Sequence, residues 1–185
     1  MANEQTPAVL DGNAAFKRED SITFIDINFT VDPVTGVSYA DGHTPQWFAV
    51  GEDNDELTRE RNDESDSSKN VLGETNISVT PGAQTTEVDP KKIRGNESLS
   101  YLLYMMNKYD LTGDQAKLTG MEVFYGDKQS EGVYGAWTES LILQVNSWGG
   151  DTTATQAPFV LNWKGDKTHG TFSTSTKQFT PTTQG

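Results

Sequence analysis

Cysteine is missing from all 185 residues, which removes disulfides, thiolate catalysis and cysteine-based zinc sites together. Stability must then come from packing and hydrogen bonds. Long apolar runs are missing as well: no window approaches the roughly 18 residues that a membrane helix needs. The opening MANEQTPAVLDGNAAFKRED has no basic-then-apolar signal, so synthesis in a cytoplasm and no membrane partner are expected. Histidine is scarce. His43 and His169 sit in the strings DGHTP and KTHG and read as exposed turn residues. There is no phosphate-binding glycine loop, dinucleotide fingerprint or G-x-S-x-G elbow, and the expectation is a protein without catalytic residues, cofactor or metal.

Positive charge is in short supply too. Fourteen Lys and Arg face 27 Asp and Glu, a formal net charge of −13, which argues against tight binding to a phosphate backbone. Much of the acid is local. GEDNDELTRERNDESDSS, residues 51 to 68, holds eight acids and two arginines, a net of −6, and reads as a solvated loop. Its strings EDNDE and NDESDS have calcium-loop texture but lack the spacing, central glycine and closing glutamate of an EF-hand.

What the chain does have is aromatic bulk and β patterning. Eight Phe, six Tyr and four Trp supply large apolar area within a hydrophobic content of only 34%, which implies a modest, aromatic-rich core. The expected fold is mainly β with one flanking α-helix: a β-sandwich or partly closed barrel over residues 21 to 180, with extended loops, an N-terminal arm at 1 to 20 and a tail at 181 to 185. SITFIDINFTVD alternates, with Ile25, Ile27, Phe29 and Val31 on one face and Asp26, Asn28 and Thr30 on the other. GVYGAWTESLILQVNSWGG alternates for longest and is expected to be the longest strand. Its apolar face holds Trp137, Leu141, Leu143 and Val145, and Thr138, Ser140, Gln144 and Asn146 lie on a face expected to meet water throughout.

VLGETNISVTPGAQTTEVDP, inside a loop-and-hairpin region at 51 to 90, reads as two β-runs folding back at Pro81-Gly82. Its polar alternation leaves little to bury, the pattern of an edge awaiting a partner. APFVLNWKG and GTFSTSTKQFT are expected to pair across DKTHG. One helix is expected at about 96 to 110, with Asn96 as N-cap, Leu99, Leu102, Leu103 and Met106 as its core stripe, and Gly113 near its end. Glu122 and Glu139 are the best strand-borne candidates for acid–base work. Trp47, Trp137, Trp148 and Trp163 would suit stacking on sugars if exposed, which keeps a carbohydrate-binding or adhesin-type sandwich as the alternative.

The order of elements (arm, long strand, the charged loop with LTRERNDESD, NVLGETNISVTPGAQTTEVDP, a helix, and strands closing in GTFSTSTKQFTP) resembles the major tail tube proteins of long-tailed bacteriophages and the related inner tubes of type VI secretion systems. The resemblance implies hexameric rings stacked into a tube in the virion tail, made in a host bacterial cytoplasm. Its partners would be copies of itself, tape-measure and terminator proteins, and double-stranded DNA passing through without tight binding. It makes Glu52, Asp53, Asp55, Glu56, Arg59, Arg61, Asp63 and Glu64 candidates for an assembly loop. Asn76, Ser78, Thr80, Thr85 and Glu87 become a candidate inter-subunit hairpin, and Thr138, Ser140, Gln144 and Asn146 a candidate lumen or interface face. Removing residues 54 to 67 is then expected to leave a folded monomer that no longer forms tubes.

Overall fold

The computed structural model describes Leu10 and residues 14 to 182; the rest of the arm and residues 183 to 185 lie outside the described residues. Fifteen strands and one α-helix follow in order. The first five are β1 (Ser21–Asp26), β2 (Thr30–Asp32), β3 (Gly36–Ser38), β4 (Trp47–Ala49) and β5 (Arg59–Glu60). Then come β6 (Glu64–Lys69), β7 (Thr75–Thr80) and β8 (Thr85–Val88), the helix α1 (Ser98–Tyr109), and the two long strands β9 (Lys117–Ser130) and β10 (Val133–Val145). The chain closes with β11 (Gly149–Gly150), β12 (Thr155–Gln156), β13 (Phe159–Trp163), β14 (Thr168–Ser173) and β15 (Gln178–Pro181).

One antiparallel sheet in the order β4-β1-β9-β10-β13-β8-β5 dominates, and it curls into a half-barrel, so the fold is mainly β with one helix. β10 is the hub. Along one edge it pairs with β9, and along the other it pairs first with β14 and then with β13. β13 and β14 therefore do not form the hairpin expected across DKTHG. They are two pieces of one interrupted strand: Leu141 faces Trp163 and Thr138 faces Thr168, so residues 164 to 167 bulge opposite Glu139 and Ser140. The bulge splits the sheet, sending β8 and β5 off one half and β15 off the other.

Each half has its own core, on opposite faces. Leu99, Leu102, Leu103 and Met106 of α1 are 0 to 4% exposed and pack on Leu118, Leu141, Leu143, Phe159, Leu161 and Trp163. Fully burying such a side chain is worth about 1.5–3 kcal/mol, more than any helix propensity, so the sheet holds α1 in place. On the other face Met121, Val123, Ala136 and Phe172 form a smaller cluster with Phe24, Tyr134 and Phe179. Phe24 on β1 and Phe172 on β14 are separated by β9 and β10, yet their rings lie 5.6 Å apart. With strands spaced about 4.8 Å, that contact reflects the curl.

Several local expectations change. The alternating run from Ser21 breaks after Asp26, and β2 pairs with β3 in a sheet of its own. The break follows from Asp26, whose fully buried carboxylate accepts from the Asn28 and Gln46 backbone N–H groups and from His43 Nε2 at 2.7 Å. His43 is thus a partly buried partner stacked on Tyr39, while His169 is exposed on β14. β9, at 14 residues, is longer than β10 at 13. Asn96 adopts a left-handed φ of 60° and Glu97 takes the N-cap position; Asp110, with φ of 53°, ends the helix before Gly113. Glu97 has no free carboxylate for a backbone cap because Lys91 Nζ binds it at 2.8 and 2.9 Å and the Ser100 hydroxyl donates to it as well.

Candidate assembly surface

Residues 59 to 88 form one long hairpin with a break in it. At its base β5 pairs with β8, Arg59 facing Thr86 and Glu60 facing Thr85; farther out β6 pairs with β7, from Glu64 facing Thr80 to Lys69 facing Thr75. Pro81 and Gly82 are therefore not a turn, and NISVT does not pair with TTEV. Three residues, 61 to 63, stand opposite four, 81 to 84, and this mismatch marks the joint. Here the two backbones touch: a Cβ on Gly82 would lie 1.7 Å from the Asn62 carbonyl oxygen. Gly82 N–H donates to Asp63, and the Asn62 side-chain amide donates to the Ala83 carbonyl. The true turn is residues 70 to 74, where the Asn70 side-chain carbonyl accepts from Leu72 and Glu74 N–H and Gly73 supplies a φ of 82°.

Beyond the joint, every residue from Glu64 to Thr80 is exposed. The register sorts them onto two faces. Asn76, Ser78 and Thr80 share theirs with Glu64, Asp66 and Ser68, while Ile77 and Val79 share theirs with Ser65 and Ser67. Ile77 is 72% and Val79 61% exposed, and Val71 and Leu72 at the tip stand at 102% and 79%. Two strands with nothing packed on either face bury little surface of their own, and Ile77, Val79, Val71 and Leu72 leave an apolar stripe in the open.

The residues expected to act together as a loop divide here. Asp53 is held by Arg94 at 2.5 Å, and Leu57 is buried with its carbonyl accepting from Arg18. Arg59 enters the molecule instead of facing a neighbour. Its Nη2 donates to Glu139 at 2.6 Å, its Nε donates to Gln84 at 2.7 Å, and its guanidinium lies 4.1 Å from the centre of the Trp163 ring; Nη1 is buried without a partner. Removing residues 54 to 67 would thus cut the core as well as β6, contrary to the expectation from sequence. Glu52, Asp55, Glu56 and Arg61 are exposed, Asp63 binds Arg61 at 3.0 Å, and Glu64 opens the ribbon. Thr85 and Glu87 belong to β8 in the main sheet.

The two strand-borne glutamates are both buried and hydrogen-bonded inside the fold. Glu139 also accepts from Gly165 N–H at 2.6 Å, which fixes the bulge, and Trp163 Nε1 donates to Thr86 beside it. Glu122 accepts from the Thr23 hydroxyl at 2.8 Å; burial raises its carboxyl above the usual range, against the lowering pull of Thr23, Arg59 and Arg18. The polar residues of β10 do not form one wet face. Thr138 and Ser140 are half-buried, Ala136 of the same face is buried in the second core, and only Gln144 and the following Asn146 are exposed. Nor do the tryptophans make a stacking row: Trp163 is core, Trp47 and Trp137 are half-buried, and Trp148 is exposed. Among the described residues no three His, Asp or Glu side chains gather into a metal site, and no helix is long and apolar enough to cross a membrane.

A groove of about 930 Å3 runs beside the start of α1. Phe29, Val31, Ile93, Tyr101, Tyr104 and Trp148 line it, with Tyr104 and Trp148 rings 6.1 Å apart. No family model and no curated protein matches the chain. Among solved structures, a chain in the "Cryo-EM structure of the anti-feeding prophage (AFP) baseplate, 6-fold symmetrised" is similar at a TM-score of 0.40 and 10% identity, over 88% of this chain and 97% of that one. A likeness of that size assigns neither fold nor role to this chain.

Proposed function

We propose that the chain is a structural subunit that polymerises into stacked, hexameric rings, building a tail tube through which a genome passes. The observation that carries this reading is the ribbon from Glu64 to Thr80, ordered and two-faced yet packed against nothing in its own subunit. A second copy would cover it. The half-barrel supports the same reading, since its short outer strands β4, β5 and β15 are open edges that a neighbour's sheet would close. The net charge of −13 suits a channel that must let DNA slide without holding it. The resemblance of its element order to tail tube proteins adds the hexameric ring, the virion location and the tape-measure and terminator partners to the proposal. Edge pairing and ribbon contacts need no catalytic group.

Negative-stain microscopy and sedimentation of the concentrated protein test the proposal. Rings or tubes with a central channel are expected, and replacing residues 64 to 80 by a short Gly-Ser turn should abolish them while leaving the melting temperature nearly unchanged. Wild-type protein that stays monomeric at every concentration and with every tail-initiation template would overturn it.

A further inference from the structure

We propose that the tip of the 64 to 80 ribbon of one copy docks in the aromatic groove beside α1 of a second copy. This rests on the assembly reading and names the surface that receives the ribbon. Chemistry on both sides selects the pair. The finger ends in Val71 and Leu72 and carries Ile77 and Val79 along one face, so whatever receives it must offer apolar walls. The groove does so, with Phe29, Val31 and Ile93 at its floor and Tyr101, Tyr104 and Trp148, 36 to 54% exposed, at its rim. Its volume of about 930 Å3 is near the top of the usual 300–1,000 Å3 range for concave sites, room for a turn of chain.

Charge points the same way. The finger's other face carries Glu64 and Asp66 and its turn carries Glu74, against one cation, Lys69, on the Ile77 face, a net of −2. In a chain of net −13 the densest basic run is KKIR, Lys91 to Arg94, of which Ile93 and Arg94 line the groove together with Glu97, and Lys108 lies next to Tyr104 of that lining. Lys91 is committed to Glu97, and Arg94 and Lys92 to Asp53. Lys108 stands over the Tyr104 and Tyr109 rings at 5.5 and 5.1 Å with no carboxylate partner among the described residues. A docked acidic finger would supply one. Finger and groove are different surfaces of one subunit, so the contact is heterologous and repeats from copy to copy, closing a ring or extending a stack.

The absence of cysteine gives a clean test. Leu72→Cys and Tyr104→Cys are made in separate chains, one carrying a size tag, and mixed under mild oxidation; both positions are exposed, so folding is retained. The mixed disulfide is expected at about tenfold or more over a Leu72→Cys and Ser175→Cys control, because docking raises the effective concentration of the thiols. Leu72→Asp and Tyr104→Glu should each remove that cross-link and the assemblies. Rings or tubes that form with no cross-link above control, or that survive Tyr104→Glu, would overturn the docking and leave the assembly reading standing. Cross-linking without any ring or tube would uphold the docking and sink the tube. Neither cross-link nor assembly at high concentration would overturn both.

Discussion

Arg59 and Glu139, eighty positions apart in the chain, meet at 2.6 Å with the guanidinium stacked on Trp163. This ion pair joins the base of the ribbon to the point where the sheet divides. Arg59 leads into β6, and Glu139 holds the Gly165 N–H of the bulge. Arg59→Met leaves a carboxylate that is 1% exposed without its cation, and removing one partner of a buried pair costs about 3–5 kcal/mol. Urea denaturation should show that loss, and adding Glu139→Gln to Arg59→Met should restore part of it. Additive losses in the double variant would mean the two side chains are not energetically coupled.

Glu122 should respond in the opposite sense. Its carboxyl is raised above the ordinary 4.5, first by burial, so its native form holds a proton more tightly than the unfolded chain does. Stability from this group is present below the unfolded value and is lost as pH rises through the native one. Glu122→Gln keeps the neutral shape and an acceptor for the Thr23 hydroxyl. It should melt above wild type near pH 7, with the gain vanishing below the ordinary value of 4.5. A variant that melts lower at neutral pH would show that the carboxylate is needed there.

Asp53 sets the acid limit. The Arg94 guanidinium, helped by the Lys92 N–H, holds its carboxyl down at about 2 against the opposing effect of burial. The native value is depressed, so the stabilisation is present above the usual 3.8 and is lost as pH falls through about 2. Asp53→Asn should cost about 1.5 kcal/mol at neutral pH, the scale of a hydrogen bond to a charged group, and its stability should fall less than that of wild type between about pH 4 and 2. Parallel acid-unfolding curves for the two proteins would rule this pair out as a source of acid sensitivity.

Leu102 is fully buried between α1 and the sheet. Leu102→Asp places a carboxylate there with no partner, a change of several kcal/mol in a protein of ordinary marginal stability. Loss of the cooperative melt, read by far-UV and near-UV circular dichroism, is the expected result. A cooperative transition near the wild-type temperature would show that α1 contributes little to the core.

Sequence alone determined the β character, the single helix and its buried stripe, and the chemical poverty of the chain. These rest on local patterns: period-two alternation in GVYGAWTESLILQV, leucines at helical spacing, and residue types that are present or absent. Which strand pairs with which was decided by tertiary structure. ESDSSK has a loop's composition and becomes a strand because β7 lies beside it and the Asn70 turn sets the register. The Pro-Gly pair looks like a turn but serves as a joint, since Gly82 is needed where the Asn62 backbone crosses. The polar face of β10 reads as wet in sequence, yet the curl folds half of it over Phe172 and Met121. Arg59 shows the reason most clearly. In the sequence it is one charge in an acidic run, and its partner stands on β10, beyond the helix and β9, where only the curl of the sheet brings it near.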